Sequence, residues 1–255
     1  MIGAVTTSTN ASPRLTHRAQ TVAQRCNVPC VPRSGSLPAL LEAHGSLYVV
    51  RSDREEVCTP DHAIHVHPGL TRSRAHLGLQ HPLIRAMGGR GRRARIADAT
   101  LGLCQDALHL ATSLEVNVLG CELSPAVFSL CEEGLGRLSR TDGPIAETAR
   151  RITPVAGHAR DILASQPDDH FDAVLIAPMF TAPDRAPPGY QAFRDAAIHG
   201  AATPRLVHEA LRVAPRVVVK LERNSEVPEP LSSFNHARIF GRALTYVVLT
   251  RTAKS

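Results

Sequence analysis

Three acids and one glycine are spaced in this sequence as they are in sites that bind a nucleoside. Asp98 ends an apolar run, Gly102 follows in a short turn, and Asp106 opens a helix-like segment. A second apolar run ends on Glu122, about 20 residues after the glycine, where an acid can accept hydrogen bonds from both hydroxyls of a ribose. The pattern therefore predicts a nucleoside-cofactor site.

Alternating strands and helices are predicted around these residues. The predicted strands are 96–100, 117–122, 152–156, 171–177 and 216–221, and the helices between them are 106–114, 125–138, 161–165 and 203–212. Two further runs, 237–240 and 244–250, are joined by a link too short for a parallel crossover. The prediction is an α/β fold: a doubly wound, mostly parallel seven-stranded sheet with an antiparallel C-terminal hairpin.

The glycine turn limits the choice of cofactor. Dinucleotide-binding loops use several glycines to approach a pyrophosphate, whereas this turn has only Gly102, and we expect Cys104 to project into that space. A cofactor with ribose and adenine but no phosphate fits better. S-adenosylmethionine (SAM) is such a cofactor, and its sulfonium charge favours a nearby carboxylate such as Asp98.

The segment 98–107 resembles the D-(A/C)-T-x-G-L-G-x-D-A motif of class I SAM-dependent methyltransferases related to the bacterial 16S rRNA guanine-N2 methyltransferase. Further elements of that branch occur in the same order between about residues 20 and 252. They are Val28-Pro-Cys-Val-Pro-Arg33, His65-Val-His-Pro-Gly-Leu70, Glu122-Leu-Ser-Pro125, Ala177-Pro-Met-Phe180 and Val217-Val-Val-Lys220. The resemblance implies a Rossmann-like class I methyltransferase fold, SAM as cofactor and a role in rRNA processing.

The resemblance also implies a set of site residues. Glu122 would bind the ribose, His158 and Ala159 would lie near the adenine, and residue 177 would lie near the transferred methyl group. The full cofactor set is Asp98, Thr100, Gly102, Gln105, Asp106, Glu122, Leu123, His158, Ala159 and Ala177. The catalytic and acceptor-pocket set is Ala177, Pro178, Met179 and Phe180. Simpler roles stay open: Asp106 as a helix N-terminal acid, Glu122 as a solvated acid and His158 as a surface histidine.

Three positions depart from the motifs of the family. Cys104 replaces a glycine, so a left-handed backbone there would cost roughly 1 kcal/mol. His158 stands where relatives have an acidic or small polar residue. Ala177 stands where relatives have an acid that accepts a hydrogen bond from the target amine. Either the carbonyl of Pro178 orients the acceptor instead, or the chain no longer methylates nucleic acid.

The distribution of charge is compatible with an RNA partner. The chain has a net charge of +6, and residues 62–95 contain seven arginines and five histidines without an acid. Such a stretch can follow a nucleic-acid backbone, and the alternative is a solvated basic linker. Lys220, the only lysine before residue 254, would either neutralise a phosphate or acid near the cleft or pair with Glu222 or another acid at the strand end.

Other features exclude several classes of protein. No apolar run reaches the roughly 18 residues of a membrane span, and residues 1–20 lack a secretory apolar stretch, so we expect a cytoplasmic protein. The six cysteines, with one lone Cys26-x-x-x-Cys30 pair, do not have zinc-site spacing, so we expect no metal and reduced cysteines with a structural role.

The expected organisation has three parts: a disordered tail at 1–20, a small α/β subdomain with a basic linker at 21–90, and a methyltransferase domain at 91–255. The leading hypothesis is SAM-dependent methylation of the exocyclic amine of guanine in rRNA. The alternatives are methylation of a small molecule or protein, or a catalytically silent RNA-binding relative.

Overall fold

A computed structural model describes residues 2–89, 95–178, 193, 196–197, 203–223, 225–227, 229 and 231–251 of the chain. Within them, strand order follows the alternating pattern of the sequence. The strands are β1 Ala4–Thr7, β2 Leu47–Val50, β3 Glu55–Cys58, β4 Ala63–Ile64, β5 Arg95–Asp98, β6 Asn117–Glu122, β7 Ile152–Ala156, β8 Ala173–Ile176, β9 Arg216–Glu222, β10 His236–Phe240 and β11 Leu244–Thr250.

The described α-helices lie mostly between these strands. They are α1 Pro13–Cys26, α2 Leu37–His44, α3 Gly69–Arg74, α4 Pro82–Ala86, α5 Gln105–Leu114, α6 Pro125–Leu138, α7 Pro144–Arg150, α8 Ala159–Ala164 and α9 Pro204–Val213, with 3-10 turns at Ala75–Gln80 and Leu231–Ser233. Several begin as the sequence predicts. Ser124 caps α6 and Pro125 fills its first turn, while Ser36 and Thr203 cap α2 and α9 in the same way.

The large sheet has the order β10-β11-β9-β8-β5-β6-β7. Strands β5 to β9 pair in parallel, and β11 and β10 continue the sheet antiparallel. The predicted doubly wound sheet with its antiparallel hairpin is confirmed. Because β6 and β8 lie on opposite sides of β5, strand order reverses at β5, and the carboxyl ends of these strands form the crevice where such sheets bind ligands.

The expectation of a disordered tail at 1–20 is wrong for the described residues. β1 pairs in parallel with β2, and Ala4 and Val5 on that strand are fully buried. α1 begins at its Ser12 cap and buries Ala19, Val22 and Ala23, a stripe at helical spacing. The threonine-rich composition hid a short strand whose apolar residues lie in the sheet β1-β2-β3-β4.

The expected basic linker is also a folded segment. Between β4 and β5 the chain forms α3, a 3-10 turn and α4, and the last buries Leu83 and Ile84 completely. α3 contacts α5, and α4 contacts β10 and β11, so this segment covers the large sheet. Residues 90–94 of the basic stretch lie outside the described residues.

Candidate cofactor site

The glycine turn connects β5 to α5 through two residues with left-handed backbone. Gly102 has φ +52° and Cys104 has φ +61° and ψ +11°. The ring of Phe193 lies over Gly102, where an added Cβ would come within 3.1 Å of the ring. The left-handed backbone whose cost was considered for Cys104 is observed, and it carries the strain of about 1 kcal/mol expected for a residue with a Cβ.

The Cys104 side chain does not project into the cofactor space, contrary to our expectation. It is fully buried in the hydrophobic core and contacts Cys131 of α6. The Cys131 thiol donates a hydrogen bond of 2.8 Å to the carbonyl of Gly102, and burial raises the pKa of that thiol. The left-handed turn at Cys104 therefore directs its side chain into the core.

Glu122 is positioned by the backbone of two loops. Its Oε2 accepts a hydrogen bond of 3.0 Å from the N–H of Gly102, and its Oε1 accepts one of 2.8 Å from the N–H of Ser124. Burial raises its pKa, although these N–H groups oppose that rise. A carboxylate has about four acceptor sites, so Glu122 keeps capacity for ribose hydroxyls. Its position favours a binding role over that of a solvated acid.

Asp98 and Ala177 are joined through Thr100. The N–H of Ala177 donates to Thr100 Oγ1 at 2.7 Å, and the N–H of Thr100 donates to Asp98 Oδ1 at 3.0 Å. Asp98 is 1% exposed, and burial raises its pKa to about 7. These bonds join the ends of β5 and β8 and set the position of residue 177 at the reversal of strand order.

Asp106 is held between two cations. Its Oδ1 lies 2.8 Å from Arg74 Nη1 of α3, and its Oδ2 lies 2.5 Å from Lys220 Nζ of β9. Burial alone would raise the pKa of Asp106, but Lys220 and Arg74 hold it well below its usual range. Of the two roles predicted for Lys220, neutralising an acid near the cleft is the one observed, because its partner is Asp106.

Gln105 ties the start of α5 to the N-terminal part of the chain. Its Nε2 donates to the carbonyl of His67 at 2.7 Å, whereas its Oε1 is buried without a hydrogen-bond partner among the described residues. His67 is fixed in turn by the N–H of Gly69, where a Cβ would lie 2.7 Å from the imidazole. The His-Pro-Gly element therefore buttresses the cofactor loop.

The other predicted residues surround the same edge of the sheet. Leu123 is 38% exposed, and Gly157 at φ +134° donates its N–H to the carbonyl of Glu122. His158 is exposed and caps α8 by accepting from the N–H of Arg160. Ala159 is buried and Pro178 is half-buried. Met179 and Phe180 lie outside the described residues.

This arrangement fits SAM. Glu122 offers free acceptor capacity at the end of β6, and the buried, unpaired Oε1 of Gln105 lacks a donor, which the ammonium of the cofactor can supply. When bound, SAM would supply an electrophilic methyl group close to the ends of β5 and β8. The sequence missed Arg74 and Phe193, because each comes from a segment distant in sequence and carries no motif of its own.

Comparison with known proteins identifies the family. The model of a family described as "Putative SAM-dependent methyltransferase" matches residues 33–234. The chain belongs to this SAM-dependent methyltransferase family. It is 32% identical over 237 residues to the ribosomal RNA small subunit methyltransferase J of Thioalkalivibrio sulfidiphilus, covering 87% of this chain and 88% of that protein. It is 30% identical over 223 residues to the uncharacterized protein YpiP of Bacillus subtilis, covering 84% and 86%.

A solved methyltransferase has the same fold. The crystal structure of a SAM-dependent methyltransferase from Neisseria gonorrhoeae aligns with a TM-score of 0.68 at 20% identity, over 98% of this chain and 97% of that one. This methyltransferase therefore has the class I fold predicted from the sequence, and SAM is its cofactor. Within the described residues, no helix is both long and apolar enough to cross a membrane, and no cluster of metal-binding side chains is found.

Proposed function

We propose that this methyltransferase transfers the methyl group of SAM to RNA of the small ribosomal subunit, with the exocyclic amine of a guanine as acceptor. The observation that carries the proposal is the relative named as a methyltransferase of small-subunit ribosomal RNA, which is similar over 88% of its length. We also propose that the protein acts in the cytoplasm, where the small subunit is assembled.

In the proposed cofactor site, Glu122 holds the ribose, Leu123, His158 and Ala159 border the adenine, and Gln105 faces the amino-acid end. Asp98, Thr100 and Gly102 shape the loop, because their hydrogen bonds set its backbone. Methyl transfer from a sulfonium needs mainly alignment of donor and acceptor and exclusion of water. The residues that hold the cofactor therefore do much of the catalytic work.

The acceptor pocket in this proposal is formed by residues 177–180. Ala177 has no side-chain acceptor, so we assign the hydrogen bond from the target amine to the carbonyl of Pro178. Met179 and Phe180 would pack against the flat base, since stacking on an aromatic ring is worth about 1–3 kcal/mol per base. Exposed arginines of the segment 62–95, such as Arg72 and Arg85, would contact phosphates.

Labelled methyl transfer tests this function directly. Purified protein is incubated with methyl-labelled SAM and, separately, with small ribosomal subunits, naked 16S rRNA, and the protein and small-molecule fractions of a lysate. Label in the RNA, and its loss with Glu122→Ala, is the expected result. We expect Glu122→Ala to weaken SAM binding about tenfold or more, about 1.4 kcal/mol, as measured by calorimetry. Label only in protein or small molecules would refute the RNA proposal.

Ala177 favours a second candidate, a relative that binds RNA without methylating it. This candidate predicts an RNA affinity that falls steeply as the salt concentration rises. It also predicts that the wild-type protein transfers no label to any fraction, even at a high concentration of SAM. An Ala177→Asp variant distinguishes the two, because it restores the acceptor of the amine hydrogen bond. Activity that appears only in Ala177→Asp would establish the silent relative.

A further inference from the structure

The cluster Arg74–Asp106–Lys220 has more positive charge than its own acid can neutralise. Two cations share one carboxylate, and their side chains are only 18% and 16% exposed. His81 and His109 lie beside the cluster, but burial and the charge of Arg74 lower their pKa values to about 4, so they are neutral near pH 7. Arg74 and Lys220 together therefore carry one more charge than Asp106, the acid that pairs with both, neutralises.

The cluster lies at the end of the cofactor crevice opposite to Glu122. Val219 of β9 is the register partner of Ile176 of β8, so Lys220 stands level with Ala177 on the neighbouring strand. Glu122 ends β6, on the other side of β5. A cofactor whose ribose is at Glu122 and whose methyl group is near residue 177 therefore extends its amino-acid end toward Lys220 and the start of α5.

The start of α5 adds two features that suit an amino acid. Cys104 provides no side-chain hydrogen bond to cap the helix, so N–H groups of the first turn remain available to an anion, which the helix dipole also favours. Next to Asp106, the buried Oε1 of Gln105 is an acceptor without a donor. A ligand with one carboxylate and one ammonium would complement the excess positive charge and the unpaired acceptor together.

We propose that Lys220 and Arg74 bind the carboxylate of the methionine part of SAM, while Gln105 and Asp106 face its ammonium. In this assignment Asp106 has a second role, since it holds the two cations side by side in the absence of cofactor. The inference rests on the SAM site that the proposed function uses, and it does not depend on RNA being the acceptor.

Calorimetry with three ligands on the wild-type protein tests the assignment without any variant. SAM carries both charged groups, decarboxylated SAM keeps the sulfonium and the amine, and 5′-methylthioadenosine lacks the amino-acid chain. We expect SAM to bind about tenfold or more tightly than decarboxylated SAM, as for a lost charge-assisted hydrogen bond. Equal affinity would overturn the assignment. Absence of binding by all three would instead refute the cofactor site itself.

Variants then separate a contact with the carboxylate from an effect through Asp106. Lys220→Met should weaken SAM about tenfold and leave decarboxylated SAM and 5′-methylthioadenosine within about twofold, whereas Lys220→Arg should restore most of the SAM affinity. Arg238→Met is the matched control, because Arg238 is an exposed arginine on β10 of the same sheet and has no role in the proposed sites. If Lys220→Met weakens SAM and decarboxylated SAM equally, Lys220 acts only through Asp106 and the proposal is wrong.

Discussion

Two regions of this molecule use arginine to bind a buried carboxylate, and they are built differently. In the N-terminal region, Arg18 of α1 makes two bonds to Glu55 of β3, at 2.7 and 3.0 Å, and the Tyr48 hydroxyl donates to the same carboxylate. Arg18 also reaches Glu132 and the carbonyl of Ser129, both on α6. This cluster therefore fastens the small sheet to α6.

The charges of the N-terminal cluster balance. Arg25 joins Arg18 at Glu132, so two arginines face two glutamates. At the cofactor edge, by contrast, two cations share Asp106 alone. We expect the cluster with equal numbers of cations and carboxylates to stabilise the fold, and the cluster with one cation in excess to bind a ligand. The variants below test this difference between a structural ion cluster and a ligand-binding one.

The largest effect is expected from breaking the N-terminal cluster. Arg18→Ala leaves Glu55, whose side chain is 5% exposed, without its cation, and we expect the free energy of unfolding to fall by about 3 kcal/mol or more. Arg25→Ala is the control, since its partner Glu132 is 42% exposed and such a pair is worth less than about 1 kcal/mol. Urea unfolding measures both.

The comparison also requires that SAM affinity change little in either variant. Calorimetric titration of folded Arg18→Ala with SAM, in buffer without urea, measures this affinity. A loss of SAM affinity comparable to that of Glu122→Ala would mean that the N-terminal cluster belongs to the binding site after all.

A second effect is expected from acid at the cofactor edge. His81 and His109 are neutral in the fold with pKa values of about 4, whereas an unfolded histidine has a pKa near 6.5. The unfolded chain therefore binds more protons between these values, so stability falls as the pH drops from about 6.5 to 4. For each histidine the loss is at most about 3 kcal/mol.

His109→Leu isolates this effect. His109 is 1% exposed, its Nε2 is unpaired among the described residues, and its Nδ1 lies 3.4 Å from the hydroxyl of Ser113. Leucine therefore removes the titrating group at the cost of this one long contact, and Ser113 is partly exposed, so water can replace it. We expect the variant to lose less stability than wild type between pH 7 and 5, measured by urea unfolding at each pH. Parallel pH profiles would show that acid sensitivity arises elsewhere.

Much of the fold was predictable because apolar periodicity and caps are local signals. The helix Pro125–Leu138 and the hairpin strand Leu244–Thr250 have the predicted bounds. β1 and α1 were missed because β1 has only four residues, Ala4–Thr7, and therefore gives a weak apolar signal. The burial of β1 depends on its pairing with β2, more than forty residues later. Local composition cannot report such a pairing.

The site was predictable where a motif carries it, and otherwise not. Glu122 and Gly102 were found from spacing, and the structure joins them by a hydrogen bond. Lys220 was noticed because lysine is rare in this chain, but its partner required the register of β9 against β8. Arg74 was one arginine among seven in a basic stretch, and only the packing of α3 on α5 sets it apart.

The smallest effect is expected at Cys104, where the cofactor edge carries backbone strain. In the N-terminal region the left-handed residue ending α1 is Asn27, a type that tolerates this conformation, whereas Cys104 has φ +61° with a buried Cβ. Cys104→Ala loses the thiol packing and keeps the strain, while Cys104→Gly loses the packing and relieves the strain. We therefore expect the glycine variant to be more stable than the alanine variant by about 1 kcal/mol, the reverse of the usual order in helices.

Urea unfolding of the two variants measures this difference in stability. Ala107→Gly, inside the helix that follows the loop, is the control, because glycine lowers stability there. If alanine is the more stable at position 104 as well, the loop is not strained, and the two regions differ in charge alone.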